Sequence, residues 1–107
     1  MSRLTTAVLK GSGIDVIAES KVQHDAGQLL RLVGEIPNRP WIVEFCCAGD
    51  KTTEPENTRE PDELNCVEIP DSLLKRGNTL YAYIVSAPAT SRTTYCKVII
   101  NVKRRPE

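Results

Sequence analysis

Apolar and polar residues alternate along several short segments of this chain, and turn-forming residues separate the segments. Alternation with a period of two predicts β-strands that bury one face, because successive side chains of a strand point to opposite sides. The segments with this pattern are residues 4–9, 14–17, 28–33, 41–47, 65–69, 79–85 and 93–104. The pattern therefore predicts seven or eight strands, mostly with one solvated face, as in antiparallel sheets.

The inward faces of three of these segments define the predicted core. They carry Trp41, Val43, Phe45 and Cys47, then Leu80, Ala82 and Ile84, and finally Cys96, Val98, Ile100 and Val102. Seven or eight short strands in a chain of 107 residues predict an all-β fold, an immunoglobulin-like (Ig-like) antiparallel β-sandwich. The Cys–Trp–Cys spacing of antibody domains is not met, so only the architecture is predicted.

One short helical turn is predicted near residues 70–76. Pro70 presets φ, and Asp71 or Ser72 can cap the free backbone amides. Gly77 can adopt the left-handed conformation that ends a helix. We predict that the two leucines inside this turn close one end of the core.

The whole chain, residues 1–107, is predicted to be a single domain, since its length is near the commonest domain size. Residues 1–19 are predicted to form either an N-terminal arm or the first strands. Residues 50–63 contain six acidic residues, two basic residues, two prolines and no aliphatic residue, which predicts an exposed acidic loop. Clustered carboxylates would also suit a cation or a partner, but the Asp-x-Asp-x-Asp-Gly spacing of calcium loops is missing.

Charge and hydropathy restrict the partners. The 14 basic and 14 acidic residues give a formal net charge of zero, which argues against a general nucleic-acid binder and suits a subunit that stays assembled. No segment approaches the roughly 20 apolar residues that cross a bilayer, and the N-terminus has no apolar signal-peptide region. We predict no nucleic-acid partner, no membrane partner and synthesis in a cytoplasm.

The four cysteines are Cys46, Cys47, Cys66 and Cys96. Structural zinc sites space paired ligands as C-x₂₋₄-C, whereas the one close pair here is adjacent, with side chains on opposite faces of a strand. Without a secretory signal, reduced thiols that pack as small buried hydrophobes are the favoured interpretation. A disulfide between Cys66 and Cys96, or between Cys47 and Cys96, is the alternative.

No arrangement of residues in the sequence predicts catalysis. His24 is the only histidine, and its pair with Asp25 would need a cysteine or serine nucleophile within hydrogen-bond reach. No G-x-S-x-G motif occurs, and the cysteines lie in apolar strands rather than in electropositive clefts. We therefore predict that the protein is not an enzyme and has no catalytic residue, no cofactor and no metal site.

The outward faces of the last two long strands form the candidate interface. It consists of Tyr81, Tyr83, Tyr95 and Ile99. Tyrosine is enriched at protein interfaces, and exposed apolar patches mark contacts. The alternative is that these residues face a loop, or that the inward and outward faces are reversed.

Several motifs in a defined order carry a family resemblance. They are Gly27-Gln28-Leu29-Leu30-Arg31-Leu32, a Gly-x-Ile-Pro turn at 34–37, Val43-Glu44-Phe45, Val67-Glu68-Ile69-Pro70-Asp71-Ser72-Leu73-Leu74, Leu80-Tyr81-Ala82-Tyr83-Ile84, Arg92-Thr93-Thr94-Tyr95-Cys96-Lys97-Val98-Ile99-Ile100 and Val102-Lys103-Arg104-Arg105-Pro106. Over roughly residues 20–106, the chain resembles a small Ig-like domain in structural proteins of phages and prophages of Gram-positive bacteria. The four cysteines and the long acidic loop depart from that family pattern.

The resemblance implies an Ig-like sandwich and a role in virion structure, with no catalytic residue to transfer. We expect an accessory virion protein, such as a capsid decoration or a head–tail or tail component. It would dock on major capsid or tail subunits, form a homo-oligomer, and reside in the virion after assembly in the host bacterial cytoplasm. The alternative function is an adhesive module that binds a host-surface carbohydrate or protein through its loops.

Overall fold

A computed structural model describes residues 4–18, 21–22, 27–50, 57–86 and 93–103. Within these ranges the chain forms ten strands and one short helix, α1 (Asp71–Leu74). The strands are β1 (Leu4–Leu9), β2 (Val16–Ile17), β3 (Lys21–Val22), β4 (Leu29–Gly34), β5 (Trp41–Cys47), β6 (Thr58–Arg59), β7 (Cys66–Glu68), β8 (Leu80–Ser86), β9 (Thr93–Ile100) and β10 (Val102–Lys103). The segment predicted as one last strand is therefore divided at Asn101 into β9 and β10.

The strands form two layers. One layer is a three-stranded sheet in the order β1-β4-β7, and the other is a five-stranded sheet in the order β2-β9-β8-β5-β6. A two-residue ladder pairs β3 with β10, further along the chain from the pairing of β2 with β9. The predicted all-β, Ig-like sandwich is confirmed.

The N-terminal strands pair differently from the uniformly antiparallel arrangement that was predicted. β1 runs parallel to β4, β2 runs parallel to β9, and β3 runs parallel to β10, whereas the other pairs are antiparallel. Alternation cannot distinguish these cases, because the side-chain period is two in both kinds of sheet. In the described part of the N-terminal region, residues 4–9 and 16–17 form strands β1 and β2.

The core lies between the two sheets and is mainly aliphatic. Its largest fully buried side chains include Leu30 and Leu32 of β4, Phe45 of β5, Ile84 of β8 and Ile100 of β9. All residues predicted to face inward in segments 41–47 and 79–85 are buried. In the last strands the exception is Val102, which packs against the core but stays partly exposed.

The helical turn forms as predicted, but its capping differs. Pro70 occupies the N-cap position, and no side chain caps the helix, so the predicted capping by Asp71 or Ser72 is wrong. Instead, Asp71 Oδ1 accepts a hydrogen bond of 3.2 Å from the Gly27 backbone N–H, which connects the turn to the start of β4. Both leucines of the turn are buried, and Gly77 has a φ of +68°.

The acidic segment 50–63 is only partly a loop. β6 lies inside it and pairs with β5, with Thr58 opposite Glu44, and Asn57 is buried. The prediction of an exposed loop throughout is therefore wrong for these residues. A two-residue edge strand with no aliphatic side chain leaves no alternation to detect. Residues 51–56 lie outside the described part of the chain, as do His24 and Asp25.

Candidate interaction surface

The outer face of the five-stranded sheet brings three of the four predicted interface residues together. In the strand register, Tyr81 of β8 lies opposite Ile99 of β9, and Ile99 lies opposite Ile17 of β2. The next row on the same face places Tyr83 opposite Lys97. Directly opposite side chains on one face of a sheet are close enough to pack together. These five residues, Ile17, Tyr81, Tyr83, Lys97 and Ile99, are called the tyrosine face below.

Contacts within the tyrosine face hold its aromatic rings in defined orientations. The Tyr81 and Tyr83 ring centroids are 6.2 Å apart in an edge-to-face arrangement, with 74° between the ring planes. Lys97 Nζ lies 4.3 Å from the Tyr81 ring centroid, a cation–π contact. Lys97 is also oriented by Asp15, because its Nζ is 3.9 Å from Asp15 Oδ2 and its backbone N–H donates to Asp15 Oδ1 at 3.1 Å. These contacts fix the orientations of the Tyr81 ring and the Lys97 side chain within the chain.

Ile17 belongs to this surface although the sequence did not point to it. Its side chain is 70% exposed, the most exposed large hydrophobic residue in the described part of the chain. The sequence signal was a weak alternation over residues 14–17, which does not say which strand β2 joins. Pairing with β9 is a long-range contact that only the folded chain reveals.

Tyr95, the fourth predicted interface residue, has a different environment. The register between β8 and β9 shifts at Ile84 and Val85, so Tyr95 falls in an irregularity of the ladder. Its ring packs against the core, and its hydroxyl donates a 2.7 Å hydrogen bond to the Glu35 carbonyl oxygen. We therefore leave Tyr95 out of the tyrosine face, because its polar atom already has a partner within the fold.

A second surface feature lies beside the turn that precedes β7. Arg39 Nη2 donates to the Asp62 carbonyl oxygen at 2.6 Å and to Asn65 Oδ1 at 2.8 Å. The Arg39 guanidinium also lies 5.7 Å from the Trp41 ring centroid. An open cavity of about 760 Å³ is lined by Arg39 and residues 61–64, and it includes Leu64, which is 65% exposed.

Asp62 organises that turn. Its Oδ1 accepts hydrogen bonds from the backbone N–H groups of Leu64, at 2.8 Å, and Cys66, at 2.9 Å. These two bonds favour the charged form and hold the pKa of Asp62 below its ordinary value. The Asp62 carboxylate therefore shapes the rim of the cavity, and its Oδ1 is already hydrogen-bonded to two backbone N–H groups.

All four cysteines are free thiols. The two alternative disulfides are not formed, because β8 lies between β5 and β9 and so separates Cys47 from Cys96, while Cys66 lies in the other sheet. Burial raises the pKa of Cys96 to about 11, and burial likewise raises the pKa values of Cys47 and Cys66. The thiolate, which is the nucleophile and metal ligand, is disfavoured at these three positions near neutral pH.

Comparison with known proteins finds no family model that matches this chain and no match among curated proteins. The class of protein is therefore defined by the structure of the described residues alone. They form an all-β sandwich with an aromatic surface on its five-stranded sheet. In the described residues, no group of three or more His, Cys, Asp or Glu side chains converges as metal ligands would. Among the same residues, no helix has the length and apolar character to span a membrane.

Proposed function

We propose that this chain is a non-catalytic structural subunit of a bacteriophage virion. It is an accessory protein, such as a capsid decoration or a head–tail or tail component, and it docks on major capsid or tail subunits. The observation that carries the proposal is the tyrosine face, an ordered aromatic and aliphatic surface on the outside of a well-packed sandwich.

The chemistry of the tyrosine face supports docking on another protein. Tyrosine rings offer large contact area with few rotatable bonds, so little side-chain freedom is lost on binding. Lys97 and the edge-to-face ring pair already restrict these rings in the free chain, which lowers the entropic cost of association. Ile17 adds an exposed aliphatic side chain in the same row as Ile99 and Tyr81.

The cysteine environments and the family resemblance support a non-catalytic virion role. Cys96 and Cys47 are buried thiols with raised pKa values, a poor state for nucleophilic catalysis. The ordered motifs over roughly residues 20–106 resemble a domain of phage structural proteins. The resemblance implies a domain that makes structural contacts in a virion and catalyses no reaction.

The test is incorporation into particles. Phage or prophage particles from the source strain are purified by density gradient, and the copy number of this chain is measured by quantitative mass spectrometry. We expect a copy number related to capsid or tail symmetry. Purified particles that lack this chain would overturn the proposal.

Variants then test the tyrosine face itself. Ile17→Lys places a charge on an exposed position, so the fold survives, and Tyr83→Ala removes one ring; urea unfolding checks both. In a strain that lacks the gene, each variant should be incorporated at a fraction of the wild-type copy number. Arg31→Ala, at an exposed position on the other sheet, is the matched control and should be incorporated normally. Normal incorporation of both tyrosine-face variants would show that docking uses a different surface.

A second candidate function is adhesion to a host-surface carbohydrate or protein. The cavity beside Arg39 and the exposed Leu64 favours it, because loop-lined cavities at one end of a sandwich often bind ligands. Leu64→Asp changes the side-chain lining of the cavity and keeps the backbone N–H that donates to Asp62 Oδ1. Loss of binding of labelled protein to host cells in this variant, with unchanged particle incorporation, would favour adhesion.

A further inference from the structure

Trp41 carries a buried hydrogen-bond donor without an acceptor. Its side chain is 2% exposed, and its Nε1–H has no hydrogen-bond partner in the described part of the chain. A buried N–H of this kind costs free energy until it is paired, so folded proteins seldom contain one. Among the described residues, Trp41 Nε1 is the one buried side-chain nitrogen or oxygen atom in this condition.

The indole of Trp41 borders a cavity at the end of the sandwich where β5 begins. This cavity, of about 270 Å³, is lined by residues 39–42 and by Glu60 and Pro61. Trp41 is also a member of the hydrophobic core, whose apolar side chains offer no oxygen acceptor. An acceptor for the Trp41 Nε1–H therefore has to come from the cavity.

This cavity adjoins the larger one described above. Arg39 and Pro61 line both of them, and the larger cavity, of about 760 Å³, adds the exposed Leu64. Ligand pockets usually have volumes of roughly 300–1,000 Å³, so the two cavities together are large enough for a ligand. These cavities, lined by residues 39–42 and 60–64, are called the Trp41 site below.

The rim of the Trp41 site is acidic. Glu60, Asp62 and Glu63 contribute three carboxylates, against the single guanidinium of Arg39. Glu60 and Glu63 are exposed, and neither takes part in an ion pair among the described residues. Because like charges repel across an interface and opposite charges attract, the rim favours a cationic ligand over an anionic one.

We propose that the Trp41 site binds an extended peptide segment of another protein, with a lysine or arginine beside an apolar residue. A backbone carbonyl oxygen of the peptide accepts a hydrogen bond from Trp41 Nε1–H. The apolar side chain packs on Leu64, and the cationic side chain lies between Glu60 and Glu63. The proposal rests on the second candidate function, for which it names the ligand class, and it does not depend on the tyrosine face.

A peptide matches the groups of the Trp41 site better than a carbohydrate does. Its backbone supplies carbonyl acceptors, and its side chains supply both the apolar and the cationic groups that the lining requires. Two prolines, Ile42 and the exposed Leu64 make much of that lining apolar. Carbohydrates usually stack on an exposed aromatic ring, and the Trp41 ring is covered.

Arg39 controls the approach to the indole. Its guanidinium lies over the Trp41 ring, 5.7 Å from the ring centroid, and Arg39 is exposed. Because Trp41 Nε1 is itself covered, an acceptor reaches it only when part of the cavity wall shifts. The long side chain of Arg39 is the part of the wall that can move, and it can then donate to a second carbonyl oxygen of the peptide.

The first experiment follows the indole N–H directly. Trp41 is the only tryptophan, so the chain gives one indole signal in proton–nitrogen NMR spectra. The probes are three sets of acetylated, amidated hexapeptides of leucine and proline that differ at one position, which is lysine, glutamine or glutamate. The lysine set should move the indole proton downfield in a saturable manner, because a hydrogen bond deshields the proton.

The order of affinities decides the outcome. The glutamine set should bind about fivefold more weakly than the lysine set, and the glutamate set more weakly again, since exposed ion pairs are individually weak. No shift with any set, or the tightest binding by the glutamate set, would overturn the proposal. A saturable shift with host cell-wall polysaccharide and none with peptides would also overturn it, and would leave adhesion through this cavity standing.

A charge variant makes the test specific to the acidic rim. Glu60→Gln combined with Glu63→Gln should weaken binding of the lysine set by about fivefold and reduce the dependence of that binding on salt. Both positions are exposed, so the chain should still fold. Glu68→Gln, at an exposed position of β7 outside both cavities, is the matched control and should bind as the wild type does. Equal weakening in both proteins would contradict the assigned site.

An isostere of tryptophan tests the hydrogen bond itself. In 3-benzothienylalanine a sulfur atom replaces the indole N–H, and a tryptophan auxotroph inserts it at position 41 alone. The free chain should be at least as stable as the wild type, because no unpaired donor is then buried. Affinity for the lysine set should fall by about two- to tenfold. Unchanged affinity, or a less stable free chain, would show that Trp41 Nε1 does not donate to the peptide.

Discussion

The two sheets of this sandwich differ in the length of the strands at their edges. In the five-stranded sheet, β9, β8 and β5 each have partners on both sides, and the edge strands have two residues each. In the three-stranded sheet, only β4 has two partners, and the six-residue strand β1 forms one edge. The wider sheet therefore has three central strands among the described residues, whereas the narrower sheet has only one.

This difference predicts where substitutions will affect the stability of the whole domain. Phe45, the largest fully buried side chain among the described residues, belongs to the central part of the five-stranded sheet. β1 contributes smaller side chains to the core and is held to the fold by β4 alone within its sheet. We expect changes in the wide sheet to unfold the whole domain and changes at β1 to act more locally.

The largest effect should come from Phe45→Ala. Phe45 is fully buried, and truncating a buried phenylalanine costs about 3–5 kcal/mol through lost burial and the remaining cavity. Urea unfolding measures this change in the free energy of unfolding. The control is Val8→Ala on the exposed face of β1, which should change stability by no more than about 0.5 kcal/mol. Similar losses in the two variants would contradict the contrast between the sheets.

Gly34→Ala should have the next largest effect, at the junction of β4 and β1. Gly34 has a φ of +88°, and an added Cβ would lie 2.6 Å from the Leu9 carbonyl oxygen. Gly49 has a similar φ of +93° with open space around it, so Gly49→Ala should cost only the left-handed strain, about 1–2 kcal/mol. We expect Gly34→Ala to cost more than this control and to speed hydrogen exchange at Thr5 and Ala7. Equal costs would mean that β1 moves freely away from Gly34.

Asp50 should have a smaller effect that depends on pH. Its carboxylate binds Arg76 at 3.1 and 3.2 Å and accepts the Cys47 N–H at 3.0 Å, and the Arg76 contact is the main reason that its pKa is lowered from 3.8. A lowered pKa in the folded state stabilises the fold above the unfolded value and stops doing so as pH falls through the folded value. Asp50→Asn should therefore be less stable than the wild type at pH 7, and the difference should shrink below about pH 3.8.

A mutant cycle tests the partner of Asp50. If Arg76 is responsible, Arg76→Gln should reduce stability in the same direction, and the double variant should lose less than the sum of the two single losses. Urea unfolding at pH 7 and pH 3 provides all four values at each pH. Additive losses would show that the pair contributes nothing beyond its separate side chains.

The smallest effect is expected for Cys66→Ser, which should change the number of reactive thiols but not the stability of the fold. Cys66 on β7 is partly exposed, whereas Cys46, Cys47 and Cys96 are buried. A thiol reagent at pH 8 should label one thiol in the folded protein and four in denaturant, and Cys66→Ser should remove the one native label. Rapid native labelling of Cys96, whose pKa is raised to about 11, would show that the wide sheet opens more readily than its packing indicates.

The fold could be predicted largely from alternation. β1 and β5 have the predicted bounds, and β8 begins and ends one residue later than predicted. These segments bury one face and expose the other, so their sequence records their geometry directly. β6 was missed because a two-residue strand of Thr58 and Arg59 has no periodicity, and its place is set by pairing with β5.

The candidate surface could be predicted in part. Tyr81 and Tyr83 are outward by simple alternation, and Ile99 follows from the same rule on β9. Tyr95 follows the same alternation of exposure, but the ladder between β8 and β9 is irregular at that point, so Tyr95 has no residue directly opposite it on β8. Ile17 was missed because its exposure depends on which strand β2 joins.

The sequence by itself determined that this chain is an all-β sandwich with an aliphatic core, a short leucine-bearing turn and outward tyrosines on one strand. Those features are local, since each follows from the order of side chains within a segment of a few residues. Only the tertiary structure decided that β1, β2 and β3 run parallel to their partners and that Ile17 joins the tyrosine face. These features depend on pairing between segments far apart in the chain, and a period of two is the same for every partner, direction and edge.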